Sequence, residues 1–170
     1  MQEEVTLVLH PVACAPRDQR DARKLEAEER ARSRVASSSP AQLLELARTF
    51  LHRAHGSASI AHKAARLEEG CRPNVGQIAK CVEVALFNTE ELLQISWNVA
   101  TENGLNSICT EIDQAEGLLA SIDATLWDDG WEQLSDQKGL LGALDAAVSI
   151  LLACMSYMDD RAQQSHTVTH

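Results

Sequence analysis

Leu105-Asn-Ser-Ile108-Cys-Thr-Glu-Ile112-Asp-Gln-Ala115-Glu-Gly-Leu-Leu119-Ala-Ser-Ile122-Asp-Ala-Thr-Leu126 is the stretch that decides the fold. Its residues Leu105, Ile108, Ile112, Ala115, Leu119, Ile122 and Leu126 are spaced 3-4-3-4-3-4, an a/d seam over about three heptads. Only a helix puts such positions on one face, and a seam of that length requires other helices against it. The acids of the stretch, Glu111, Asp113, Glu116 and Asp123, fall off the seam and are expected at the surface.

The flanking sequence follows the same logic. Asn74 to Glu102 predicts a helix with Val75, Ile78, Val82, Leu86, Leu93 and Trp97 on one face and Gly104 as its stop. Before it, Ser39-Pro40 reads as a capping serine with proline at the first helical position. The helix that follows places Leu43, Ala47, Phe50, Ala54, Ala58, Ala61 and Ala65 inward, and Gly70 and Pro73 end it. After the seam, Asp128-Asp-Gly-Trp131 is a loop. Ser135 to about Gln163 is apolar around most of its circumference, apart from a stripe of Gly142, Asp145, Ser149 and Ser156, and is expected at the centre of the bundle.

Asp18 to Arg34 is densely charged, with pairs such as Glu26 and Arg30 four apart, and is expected as a solvated helix. The run Val5 to Leu9 is strand-like but lies alone. The prediction is an all-α protein: an antiparallel bundle of four main long helices (39–165), a charged N-terminal extension (1–38) made of a short extended segment and a helix, and a disordered tail (166–170).

The 170 residues carry a formal net charge of −10, and that charge is local. Between Cys81 and Gln137 there are twelve carboxylates and no Lys, Arg or His, whereas residues 1–70 hold eleven Lys/Arg against ten Asp/Glu. A surface of one sign attracts a partner of the other over a distance. Direct nucleic-acid binding is not expected, because the basic residues between Arg17 and Arg34 are interleaved with acids and aromatics are scarce. The acidic start (Glu3, Glu4) is unlike a signal peptide, no membrane span is expected, and five scattered cysteines without a C-x-x-C pair fit reduced thiols. A cytoplasmic location is the expectation.

Three function classes remain. The first is a non-enzymatic interaction or regulatory protein. It would bind a protein with a basic surface through Glu90, Glu91, Glu102, Glu111, Asp113, Glu116, Asp123, Asp128 and Asp129, including the special case of an inhibitor that mimics nucleic acid, of the anti-CRISPR or anti-restriction type. Charge reversal at Glu111 and Glu116 is expected to abolish binding and leave the bundle folded. Self-association has two candidate surfaces, the heptad seam and the small-residue stripe. No cofactor, metal or catalytic residue is assigned in this reading.

The second class concerns His52. The segment His52-Arg-Ala-His-Gly-Ser-Ala58 resembles the H-x-x-K-G-[SA]-[SA] stretch of histidine-phosphotransfer domains, which are also four-helix bundles. The resemblance implies that His52 accepts a phosphoryl group, although His55 stands where that family has lysine. The third class is a metal or small-ligand binder using His52, His55 and His62. No carboxylate stands on the neighbouring turn to complete a ligand set, and solvated histidines on a polar flank are the simpler reading. Asp145 is read as a helix-flank carboxylate, and the cysteines near helix faces as small core residues. The first class is the reading the sequence favours.

Overall fold

The computed structural model describes residues 16–66, 74–98, 105–128 and 137–167. Five α-helices account for them: α1 (Pro16–Ser37), α2 (Pro40–Ala65), α3 (Val75–Asn98), α4 (Cys109–Asp128) and α5 (Gln137–Thr167), with a 3₁₀ turn, Leu105–Ile108, leading into α4. The fold is an all-α bundle, as the periodicity predicts. The run Val5 to Leu9 and the expected end of α3 near Gly104 lie outside the described residues. α5 runs through His166 and Thr167, so the tail expected at 166–170 is helical for its first two residues.

Local chemistry sets the helix starts. Ser39 caps α2 through a reciprocal box: Gln42 N–H donates to Ser39 Oγ at 3.3 Å, and Ser39 N–H donates to Gln42 Oε1 at 2.8 Å. Asn74 caps α3 in a similar way, its Oδ1 accepting from Gln77 N–H at 3.1 Å. Both ends leave fewer orphan amides to water, and both position long helices whose inner faces must then meet.

Helices α2 to α5 form a ring in which α2 contacts α3 and α5, and α4 contacts α3 and α5. Arg48 and His52 of α2 face Asp159 of α5, and His62 of α2 faces Asp145. The later residues of α2 thus meet the earlier residues of α5, so the two run antiparallel. Every residue of the 105–126 seam is buried, as are all seven inward positions predicted for α2. The seam is consumed in the monomer's core and offers nothing to a second subunit.

The centre of the bundle is α3, not α5. From Ala85 to Ser96 only Phe87 and Gln94 are even half-exposed, because α1, α2 and α4 all pack on this helix. Its polar side chains bond to their own backbone, with Thr89 Oγ1 donating to Ala85 O at 2.7 Å and Asn88 Nδ2 to Val84 O at 2.7 Å. α5 instead lies at the side with a face to solvent: Gly142, Asp145, Ala146, Ser149, Leu152, Ala153 and Ser156 are exposed. An apolar circumference identified a buried helix in general, but among the described residues α5 packs mainly on α2 and α4. Within α5, residues 138–163 are long and apolar enough to cross a membrane by length and composition, and 28% of the most apolar window is buried. Trp97, expected inward, is 62% exposed at the end of α3.

The largest departure concerns α1. The sequence suggests a solvated extension, but α1 packs across α3 and reaches α4. Ala27 and Ala31 are fully buried, while Asp21, Glu26, Glu28 and Glu29 face solvent. Burying two alanine methyls is worth only about 1–2 kcal/mol. Half-buried Val35 packs on the core as well, and ion pairs add to the attachment.

Candidate partner-binding surface

The charge of α1 is sorted by face. Arg23, Lys24, Arg30 and Arg34 flank the Ala27–Ala31 seam, and each lands on a carboxylate of α3 or α4. Arg30 Nε donates to Glu91 Oε1 in a short contact, and Arg34 Nη2 lies 3.4 Å from Glu91 Oε2. Lys24 Nζ lies 3.1 Å from Glu116 Oε1, and Arg23 Nη2 donates to Asp123 Oδ2 at 3.0 Å. The two arginines on Glu91 also stack on rings: Arg30 sits 4.5 Å from the Phe87 centroid and Arg34 5.0 Å from the Phe50 centroid. Each guanidinium is therefore held by a carboxylate on one side and an aromatic face on another.

This arrangement corrects the expectation that the off-seam acids are surface features. Glu90, Glu91, Glu116 and Asp123 are buried, and at least three of them take cations from α1. Glu116 and Asp123 sit one residue after Ala115 and Ile122, so they flank the seam on the side that α1 covers. Glu116→Lys would set a second ammonium against Lys24 inside the structure, so it is no test of binding alone. Glu111 and Asp113 are exposed as expected. Asp128 ends α4, and Glu102 and Asp129 lie outside the described residues.

Beside α1 a cleft of about 180 Å³ opens between α1, α3 and α4. Lys24, Glu90, Leu93, Trp97, Asp113 and Glu116 line it. Its floor is the buried acid pair of α3 and α4, and its open rim carries the exposed Trp97 ring and the Asp113 carboxylate. Carboxylates plus an indole face are the chemistry that recognises an organic cation. Trp97 reads in sequence as one more core position of an amphipathic helix. Nothing in its spacing signalled its 62% exposure.

The histidines do not converge. His52 Nε2 lies 3.9 Å from Asp159 Oδ2, and Asp159 is held by Arg48 at 2.7 Å, a hydrogen bond that raises the Arg48 pKa. His62 is 15% exposed and lies 3.6 Å from Asp145, which is 69% exposed, as expected for a flank carboxylate. His55 Nε2 is 3.4 Å from Ser59 Oγ, and burial, followed by the neighbouring His52, lowers its pKa. Among the described residues no three His, Cys, Asp or Glu are grouped to hold a metal ion. A phosphoryl group on His52 Nε2 would meet the Asp159 carboxylate, like charge against like.

Of the cysteines within the described residues, Cys154 is buried, and Cys81 and Cys109 are half-buried. Burial first, and then the Glu111 charge, push the Cys154 thiol up to about 11. The thiolate is the reactive form. Cys154 is therefore expected to resist iodoacetamide in the native protein at pH 8 while Cys81 and Cys109 are modified first, as mass spectrometry of quenched samples would read.

No protein-family model matches the chain, and neither a curated protein nor a solved structure is found similar to it. The class that the fold defines is an all-α helical bundle.

Proposed function

We propose that this is a non-enzymatic interaction protein that docks a protein partner with a basic surface, using Asp113 and Trp97 at the rim of the cleft. One observation carries the reading. The cleft repeats, at an open and solvent-facing place, the carboxylate-plus-ring chemistry with which the molecule already holds Arg30 and Arg34. A lysine or arginine of the partner would sit at the rim, with its charge toward Asp113 and its stem along the Trp97 ring. The exposed acids on the outer face of α1 extend the attractive field around the opening. Mimicry of a nucleic-acid backbone is not carried forward, because Glu91, Glu116 and Asp123 are engaged by α1 and cannot be displayed as a row of phosphates.

The test uses the full chain and a fluorescent peptide rich in Lys and Arg. Asp113→Lys and Trp97→Ala are each expected to weaken binding about tenfold, or about 1.4 kcal/mol. Glu83→Lys, an exposed position elsewhere on α3, serves as the control for net charge. If Glu83→Lys weakens binding as much as Asp113→Lys does, the attraction is unspecific and the cleft is not the site.

A further inference from the structure

We propose that α5 is the interface of a symmetric dimer, in which it pairs antiparallel with α5 of a second copy about Ser149. The proposal is independent of the cleft, to which α5 contributes no residue.

Three features support it. First, α5 is apolar and poorly covered. It is the one helix among the described residues long and apolar enough to cross a membrane, yet only 28% of its most apolar window is buried. A helix of that composition in a bundle is ordinarily enclosed by its neighbours. Here it packs mainly on α2 and α4, and Gly142, Ala146, Ser149, Leu152, Ala153 and Ser156 face outward.

Second, this face is complementary in charge to a copy of itself. At about 100° per residue, Lys138, Gly142, Ser149, Ser156 and Asp160 fall within about 20° of one line along the helix. Lys138 and Asp160 end that line, each eleven positions from Ser149. Both are exposed, and neither forms an ion pair among the described residues. A two-fold axis at Ser149 sets Lys138 of each copy against the partner's Asp160. A parallel pair would set lysine against lysine and aspartate against aspartate, so charge selects the antiparallel arrangement. Asp145, at the edge of the face and 3.6 Å from His62, comes level with the partner's Ala153 and not with a carboxylate.

Third, Gly142 has no role in the monomer. Nothing lies within 4 Å of the place its Cβ would take, and glycine inside a helix weakens it relative to alanine. In the pair it lies level with the partner's Ser156, seven positions on the other side of Ser149. Two small residues facing each other let the helix axes approach closely.

A second copy fits this face better than a bilayer does. A helix lying in a lipid surface buries bulky apolar side chains. Leu152 is the one large hydrophobic residue exposed on α5 among the described residues, and the line beside it carries Lys138, Ser149, Ser156 and Asp160.

Sedimentation of the full chain from about 1 to about 500 µM tests this, a range that brackets a weak dimer. The parent is expected to pass from monomer to dimer. Ser149→Glu sets two carboxylates against each other at the axis and should weaken the dimer about tenfold. It should leave the circular dichroism of the monomer unchanged, because Ser149 is exposed there. Lys138→Asp and Asp160→Lys should each weaken the dimer about fivefold, since symmetry repeats the change at both ends of the pair. The two together should restore it. The proposal is overturned if the parent stays monomeric across the range, or if Ser149→Glu dimerises as well as the parent. It is also overturned if the single exchanges change nothing, or if the double exchange fails to recover what they lose. A monomeric parent that co-sediments with phosphatidylcholine vesicles would assign the face to lipid and overturn the proposal in the same way.

Discussion

Replacing both arginines that hold Glu91, Arg30→Ala with Arg34→Ala, is expected to lower the unfolding free energy by about 2 kcal/mol. The carboxylate lies on the central helix and is fully buried, with Arg30 and Arg34 its cations and the Phe87 and Phe50 rings beneath them. Without them the molecule has two responses. Keeping an ionised, unpaired carboxylate buried costs several kcal/mol. Lifting α1 away, so that water reaches Glu91, loses the remaining pairs and the burial of Ala27 and Ala31. The second is the less costly and limits the loss. The signature is therefore a loss of α1 amide protection larger than the shift of the urea midpoint, while α2 to α5 stay protected. Adding Glu91→Gln to the double variant should recover most of the midpoint, because no charge then needs a partner. A double variant whose α1 remains as protected as in the parent would show that alanine packing, not charge, holds this helix.

Leu119→Ala is expected to cost more, about 3 kcal/mol, and to cost it globally. Leu119 is fully buried at the middle of the seam, in the core cluster shared by α2, α3, α4 and α5. The cluster draws on all four helices, so closing the space left by the leucine requires helices to shift. Chemical denaturation should show a lower midpoint with an unchanged slope, since the surface exposed on unfolding hardly alters. Exchange protection should fall in all of α2 to α5 together. A loss below about 1 kcal/mol would mean that the seam is loosely packed and that the fold depends on other contacts.

These two variants separate what was legible in the sequence from what was not. The seam was legible because its period is local: once Ile108, Ile112, Ala115, Leu119 and Ile122 share a face, no other arrangement buries them. The same holds for the alanine and leucine face of α2 and for the Ser39 cap. The place of α5 was not legible, because an apolar circumference says that a helix resembles a core element and not how many neighbours it will find. Nor was the exposure of Trp97, which depends on what else reaches the end of α3. The candidate site was legible only in part: Glu111 and Asp113 were placed at the surface by their position off the seam, but the identical argument misplaced Glu116 and Asp123.

By itself, then, the sequence determined that the chain forms helices that bundle, and that one half of it carries most of the negative charge. Whether that charge faces a partner or the molecule itself was decided by tertiary structure alone. Arg30 and Glu91 are 61 positions apart, and Arg23 and Asp123 are 100 apart. Periodicity tells which side of a helix seeks a neighbour, but a carboxylate one step off the seam is solvent-facing or buried according to which helix arrives there. Here the helix that arrives is α1, with Arg23, Lys24, Arg30 and Arg34 turned inward and Asp21, Glu26, Glu28 and Glu29 turned out, and the acidic half of the chain is covered in part by its own basic face.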